Sequence, residues 1–204
     1  IMYADLDGDG KISNGTNKLG DTGDYRIIGN STPRFKYGIT LDAAWKGFDF
    51  SIFMQGIGKR DLWLDGCYFW GANGQGNEWQ STGFTEHWDF FHPEGDPLGA
   101  NLNSYYPRVN FSGGRNTKIQ TRYLQNGAYL RLKNVQLGYT LPRVWTEKAG
   151  ISSVRVYVSG DNLATITSLS KIFDPEATGS LAGTGSGKLY PLQRVISVGV
   201  NVNF

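Results

Sequence analysis

Strict alternation of apolar and polar residues is the feature that most limits how this chain can fold. It runs through residues 37–45 and 48–54, joined by Lys46-Gly47, and through residues 196–204. A period of two is that of a β-strand with one apolar face, and Gly in the joining pair favours a tight hairpin turn. Each run approaches the length of about ten residues that a tilted strand needs to cross a bilayer.

Two further runs extend this pattern to an all-β chain. In the run at 127–141 the apolar parity reverses near Lys133-Asn134, which indicates a β-bulge. The run at 152–163 alternates Val with polar residues, and residues 143–151 between the two fit a short turn or one helical turn. The predicted strands are about 37–46, 48–57, 127–141, 152–163 and 194–204.

The connections between these strands fall into two length classes that alternate along the chain. Residues 46–47 and 142–151 are short, whereas residues 58–126 and 164–193 are long loops. Outer-membrane barrels have short periplasmic turns and long extracellular loops, and this order satisfies that rule for every strand. We therefore expect an antiparallel transmembrane β-barrel segment whose long loops, with residues 1–36, are extracellular.

Composition excludes several other classes of protein. The net charge is +2 and the chain has no block of Lys or Arg, so it lacks the signature of a nucleic-acid surface. Cys67 is the single cysteine, which excludes an intrachain disulfide. Five strands cannot close a barrel, and the chain starts with Ile1 rather than Met, so we expect further strands upstream.

Several motifs, in order along the chain, resemble SusC/RagA-type TonB-dependent outer-membrane transporters. These motifs extend over nearly the whole chain, but the resemblance is weakest in residues 58–126. The matching segments are 7–12 (DGDGKI), 27–38 (IIGNSTPRFKYG), 45–49 (WKGFD), 127–134 (GAYLRLKN), 137–142 (LGYTLP), 156–163 (VYVSGDNL), 173–176 (FDPE) and 190–191 (YP).

The resemblance implies a function for the whole protein. It implies a barrel of about 22 strands with an N-terminal plug, in the bacterial cell outer membrane. Such a protein would import glycans or peptides with a SusD-like surface lipoprotein, driven by TonB. The plug and the TonB-contacting segment are absent from this chain. The terminal Phe204 resembles the C-terminal signal that barrel-assembly machinery reads, although it could be a plain strand end.

An Asp-rich segment near the N-terminus predicts a Ca²⁺ loop. Asp5, Asp7 and Asp9 alternate ahead of Gly10, and the backbone carbonyl of Lys11 could add another oxygen. The acid that should close the loop is missing, because Thr16 stands at its position. Asp21 or Asp24 could replace it, and we prefer Asp24. The alternative is a solvated Asp/Gly turn without metal.

The loop at 58–126 carries an unusual concentration of aromatic residues. Indole rings can pack on the apolar faces of sugars, so its tryptophans are candidate substrate contacts. The same residues could instead form a small core or contact a lid protein. The four candidates are Trp63, Trp70, Trp79 and Trp88.

An enzymatic site is not expected. His87 and His92 stand near Glu86, Asp89 and Glu94, but no nucleophile elbow, phosphate loop or HExxH motif accompanies them. The main alternative to the transporter is a soluble β-sandwich carbohydrate-binding module with an aromatic loop. A hydrolase is the third interpretation, which a loss of activity on removal of one loop carboxylate would indicate.

Overall fold

The computed structural model describes residues 2–73, 83–110, 114, 116–178 and 189–204. The chain divides into two units, which are described separately: a loop unit of residues 1–30 and 63–124, and a sheet unit of residues 31–62 and 125–204. The strands are β1 (Arg34–Trp45), β2 (Phe48–Lys59), β3 (Asp61–Leu62), β4 (Gln125–Asn126), β5 (Tyr129–Thr140), β6 (Ser153–Thr167) and β7 (Val195–Asn203). The helices are α1 (Cys67–Trp70) and α2 (Arg143–Thr146), with 3₁₀ turns at Thr85–Trp88, Thr121–Tyr123 and Glu147–Ala149.

The sheet unit is built on one antiparallel sheet of five strands in the order β1-β2-β5-β6-β7. All five predicted strands are present. Three of them, β1, β2 and β6, are longer than the alternation indicated, because strand pairing continues where the alternation fades: Arg34 pairs with Lys59, and Tyr129 pairs with Thr167. The β3–β4 pair was missed, since two residues are too few to show a period.

Both short connections between strands lie where the sequence predicts them, at residues 46–47 and 142–151. Lys46 and Gly47 have φ of 46° and 88°, the left-handed pair that a two-residue hairpin turn requires. Helix α2 and the 3₁₀ turn that follows it join β5 to β6. Among the described residues no helix is both long enough and apolar enough to span a membrane.

A β-bulge lies where the apolar parity of β5 reverses. On β2 the neighbours Phe53 and Met54 pair with Asn134 and Leu132, so Lys133 is the extra residue. This confirms the bulge predicted from sequence. The extra residue keeps apolar side chains on one face on both sides of the irregularity.

The two faces of the sheet differ in chemistry. Partners across the ladders on one face are apolar, as in Leu41 opposite Ile52 and Val156 opposite Val200. Many of these side chains are exposed, and Val198 is 81% exposed. The other face carries Asp, Ser, Asn, Gln and Gly. A β-sandwich needs a second sheet over the apolar face. The described part of the chain offers only the pair β3–β4 besides this sheet, so the sandwich alternative is wrong.

The loop unit has its own aromatic core. Five hydrophobic side chains of the described loop unit are less than 10% exposed, and the Phe69 and Trp70 rings on α1 meet edge to face with centroids 5.1 Å apart. The Trp70 ring also meets the Tyr123 ring at 4.8 Å. The members of this loop core are Leu64, Phe69, Trp70, Tyr106 and Tyr123.

Candidate functional site

Three carboxylates of the N-terminal segment converge on one point in the loop unit. One carboxylate oxygen from each of Asp5, Asp7 and Asp24 lies within 4.8 Å of the other two. The segment can bend this sharply because Gly8 and Gly10 adopt φ of 81° and 79°, which only glycine adopts readily. Within the part of the chain that the structure describes, this is the group of acidic, His or Cys side chains suited to a metal ion.

Backbone hydrogen bonds fix the orientation of these carboxylates. Asp5 accepts from the Gly8 and Gly10 N–H groups at 2.6 and 2.9 Å. Asp24 accepts from the Leu6 and Ser13 N–H groups at 2.6 and 2.8 Å, so it joins two parts of the segment. These bonds from Leu6 and Ser13 lower the pKa of Asp24 and keep it ionised.

Mutual repulsion is visible at Asp7. The Asp9 N–H bond lowers the pKa of Asp7, but desolvation and the charges of Asp9, Asp24 and Asp5 together outweigh it, so the pKa is raised. A bound cation would relieve this repulsion, and carboxylate oxygens are the ligands that Ca²⁺ prefers. The donor set therefore fits a hard divalent cation.

Other predicted ligands lie outside the converging group. The Asp9 carboxylate accepts from the Lys11 N–H at 2.7 Å. Asp21 accepts from the Thr16 hydroxyl at 2.6 Å and from the Thr16 N–H at 3.0 Å. Of the two acids that could close the loop, Asp24 is thus the one that reaches Asp5 and Asp7.

The four candidate tryptophans occupy different environments. Trp70 is 2% exposed inside the loop core, which fits the alternative of a small core better than a surface contact. Trp63 is partly buried, with its ring 5.9 Å from that of Trp70. Trp88 is 68% exposed. Trp79 lies outside the described residues.

The two histidines serve the local structure. His87 Nδ1 accepts from the Phe84 N–H at 2.8 Å, so the Nε2–H group donates to the Phe69 carbonyl at 3.0 Å. Desolvation lowers the pKa of His87, which favours this neutral form. His92 lies 3.5 Å from Asp96 and stacks near the ring of Phe90, with centroids 4.1 Å apart.

A cavity that sequence reasoning missed opens within the loop unit. Its volume is about 1500 Å³, and its lining comes from residues 2–28 and 91–123. Among the described residues, four cations line it together with a single carboxylate, that of Asp24. We call this the basic cavity and define it by Tyr3, Tyr25, Arg26, Arg108, Lys118 and Arg122.

A buried ion-pair network lies in the sheet unit. Arg131 on β5 donates to Asp174 at 2.7 Å, with side-chain exposures of 5% and 8%. Lys133, the bulge residue, donates to Glu176 at 2.9 Å. Arg60 donates to the Thr178 carbonyl at 3.2 Å. The segment 168–178, which we call the strap, is thereby held to the polar face of the sheet.

The last residue of the chain continues the apolar face. Val202 is opposite Val154 on that face, and Phe204 has the same parity two residues later. The Phe204 side chain is 90% exposed.

Comparisons with known proteins relate this chain to bacterial receptors. No protein-family model matches it. It is 33% identical over 213 residues to TonB-dependent receptor P3 of Formosa agariphila, which covers all of this chain and 19% of that protein. It is 29% identical over 212 residues to TonB-dependent receptor P26 of the same organism, again 19% of its length.

Solved structures show the same fold. The RagAB peptide importer in its "open-open" state superposes with a TM-score of 0.67 at 27% identity, over 91% of this chain and 18% of that chain. The "closed-closed" state of RagAB gives a TM-score of 0.67 at 27% identity. This chain belongs to the SusC/RagA-type TonB-dependent receptors. The family explains the open five-stranded sheet as part of a larger barrel.

The chain is much shorter than the receptors it matches. It spans about a fifth of their length, 19% of each curated relative. The names of these relatives and structures describe receptors and importers, and none of the names describes an enzyme. The aspartate group, the basic cavity and the strap are features of this SusC/RagA-type chain that the names do not address.

Proposed function

We propose that this chain forms part of the barrel wall of an outer-membrane transporter that imports glycans or peptides. The observation that carries the proposal is the sheet itself, whose apolar face is exposed while its opposite face is polar. An apolar exterior against lipid and a polar interior are typical of such barrels. A lipid-facing charge near the bilayer midplane costs about 2–4 kcal/mol, which accounts for an apolar face built from Val, Leu, Ile and aromatic residues.

Import is tested with the full-length protein in its own bacterium. Labelled glycans and peptides should enter cells that carry the gene and stay outside cells that lack it or lack TonB. Equal uptake in all three strains would overturn the transporter proposal. The N-terminal region outside this chain would supply the contact with TonB.

A SusD-like surface lipoprotein is the proposed partner. Support comes from the structural neighbour RagAB, a peptide importer. Purification of the full-length protein through an affinity tag should recover one lipoprotein in stoichiometric amount. Recovery of the tagged protein alone, under mild detergent and without crosslinker, would contradict this partner.

Phe204 is the proposed signal for barrel assembly. Support comes from its position at the end of the apolar face and from its 90% exposure, which leaves the ring available to another protein. Deleting Phe204 from the full-length protein should reduce the amount of receptor in the outer membrane. Deleting the exposed Trp88 from the loop unit is the control, and it should leave assembly intact.

Ca²⁺ is the proposed ligand of the aspartate group. Support comes from the convergence of Asp5, Asp7 and Asp24 and from the raised pKa of Asp7. Calorimetric titration of the full-length protein with CaCl₂ should give heat that Asp7→Asn and Asp24→Asn abolish. The matched control is Asp21→Asn, which removes a carboxylate bonded to Thr16 outside the group. Equal heats from all four proteins would exclude the site.

A further inference from the structure

Among the described residues, the lining of the basic cavity has four cations against one carboxylate, that of Asp24, whose charge interacts with Arg26. Arg26 donates through Nη1 to the Gly23 and Tyr25 carbonyls at 2.6 and 2.8 Å. Arg122 donates through Nη2 to the Ser104 carbonyl at 2.6 Å. These carbonyl acceptors are neutral, so they position the two guanidinium groups without neutralising their charge. The groups stay positively charged because a guanidinium cannot be deprotonated in a protein.

The remaining cations are open to solvent. Arg108 and Lys118 are exposed on the cavity wall, and within the described residues neither side chain forms an ion pair. Asp24, whose carboxylate is the one acidic group among the described lining residues, already accepts two backbone N–H bonds. An excess of cations in a concave site attracts and retains anions.

The lining also includes aromatic rings. Tyr3 and Tyr25 line the same cavity and are 37% and 62% exposed. A phenol ring offers an apolar face to a pyranose and a hydroxyl group to its substituents. The volume of about 1500 Å³ exceeds the 300–1,000 Å³ usual for a small-molecule site, so several sugar units fit.

The backbone around the cavity argues against an extended peptide as its ligand. Strand addition, one recurring way to bind an extended peptide, uses main-chain hydrogen bonds to a strand edge. The described residues of the lining belong to loops and one 3₁₀ turn, and none lies in a strand. Side chains rather than a strand edge therefore make the recognition surface.

We infer that the basic cavity binds an anionic oligosaccharide, with its cations on the carboxylate or sulfate groups and its tyrosines on the sugar rings. This inference rests on the proposed import function, whose substrate class it narrows. Charge-assisted hydrogen bonds from guanidinium to carboxylate or sulfate are about twice as strong as neutral ones. The charged groups therefore supply selectivity over neutral sugars.

The test is calorimetric titration of the full-length protein with four probes. Trigalacturonate offers carboxylates, a carrageenan tetrasaccharide offers sulfates, maltotriose is neutral, and a triglutamate peptide is acidic without sugar rings. At least one anionic sugar should bind, and maltotriose and the peptide should bind at least about tenfold more weakly, a difference of about 1.4 kcal/mol. The anionic sugar that binds more tightly shows whether the cavity prefers carboxylate or sulfate groups.

Charge removal assigns the binding to the cavity. The double variant Arg108→Gln/Lys118→Gln should weaken the anionic sugar about tenfold, or about 1.4 kcal/mol. The matched control Lys18→Gln/Lys171→Gln removes the same charge from residues outside the lining and should leave affinity unchanged. Equal weakening by both variants, binding of neither anionic sugar, or tighter binding of the peptide would overturn the inference.

Uptake separates this inference from the proposed function. If the cavity variant alone loses affinity but cells take up the sugar equally with and without TonB, the cavity stands and the transporter proposal fails. If TonB-dependent uptake of a glycan or peptide is intact but the cavity variant binds every probe as the wild type does, the cavity inference fails.

Discussion

Arg155 on β6 forms an ion pair with Asp49 on β2 across the intervening strand, with Arg155 Nε donating to Asp49 Oδ1 at 2.9 Å. The two side chains meet above Gly138 of β5, where an added Cβ would lie 2.5 Å from Arg155 Nη2 and from Asp49 Oδ1. Gly138 pairs with Asp49 in the ladder, so the glycine opens the space through which the arginine passes. The pair ties three strands together on the polar face.

Gly138→Ala should lower the temperature at which the full-length barrel unfolds, because the methyl group displaces this ion pair. The same substitution should have little further effect in a protein that already carries Asp49→Asn and Arg155→Gln. Thermal unfolding of the four proteins, followed as the loss of the folded band on unheated gels, measures this coupling. Additive effects of the two changes would show that Gly138 acts independently of the pair.

Asp174→Asn should release the strap. It leaves the buried guanidinium of Arg131 without its 2.7 Å partner, and breaking a buried pair costs about 3–5 kcal/mol. Hydrogen exchange of residues 168–178 in the full-length protein should rise accordingly. The comparison is Lys133→Met, which removes a cation whose side chain is 24% exposed and should cost about 1 kcal/mol or less. Equal exchange in both variants would contradict a strap held by Arg131.

Acid should release the strap as well. Desolvation raises the pKa of Asp174, but the bonds from Arg131 and from the Glu176 and Leu192 N–H groups, together with the charge of Arg131, outweigh it, so the pKa is lowered in the folded protein. The stabilisation is complete above the unfolded pKa of about 3.9 and is lost as pH falls through the lowered folded pKa. The protection factor of the strap amides, which is the intrinsic exchange rate at each pH divided by the observed rate, should therefore fall below about pH 4 in the wild type. Asp174→Asn should show low protection at every pH, and wild-type protection unaffected by acid would contradict this prediction.

Mild acid should loosen the loop unit through His87. Desolvation lowers its folded pKa below 6.5, so the unfolded state takes up the proton first as pH falls. The stabilisation is complete above pH 6.5 and is lost as pH falls through the lowered pKa, when protonation of Nδ1 breaks the bond from the Phe84 N–H. The protection factor of the Phe84 amide, which is the intrinsic exchange rate at each pH divided by the observed rate, should be smaller at about pH 5 than at about pH 7.5. The control is His92→Gln, which should keep this dependence, whereas His87→Gln should abolish it.

Trp70→Ala should destabilise the loop unit, and Trp88→Ala should not. Trp70 is 2% exposed between the Phe69 and Tyr123 rings, and deleting a buried indole costs about 3–5 kcal/mol. Trp88 is 68% exposed. Protease cleavage of the loop unit in the full-length protein measures the difference. Equal resistance of both variants would place Trp70 outside the core.

The strands were predictable because a strand with one apolar face shows an apolar period of two in its sequence. Residues 37–54 alternate through both arms of a hairpin, and the reversal at Lys133 located the bulge. The preference for Asp24 over Asp21 also agrees with the geometry, since Asp24 joins Asp5 and Asp7. These features depend on neighbours along the chain or on the chemistry of a few closely spaced residues.

The remaining features depend on residues far apart in sequence. The basic cavity joins residues near 26 with residues near 122, and Arg131 meets Asp174 across 43 positions. No local period signals such contacts. Helix α1 has four residues, too few for an amphipathic period, so the sequence alone does not separate an aromatic core from sugar contacts or contacts with a lid protein.

Because of the bulge at Lys133, the face of the sheet on which each β5 side chain lies depends on whether the strand changes in length by one residue or by two. Removing Lys133 would rotate one half of the strand by half a turn, which would exchange Val135 and Leu137 with Asn134 and Gln136. A one-residue deletion elsewhere in the strand would do the same to the residues beyond it. Single-residue insertions and deletions should therefore be rare within β5 among functional relatives, while losses or gains of two residues would preserve which side chains meet lipid and which meet water.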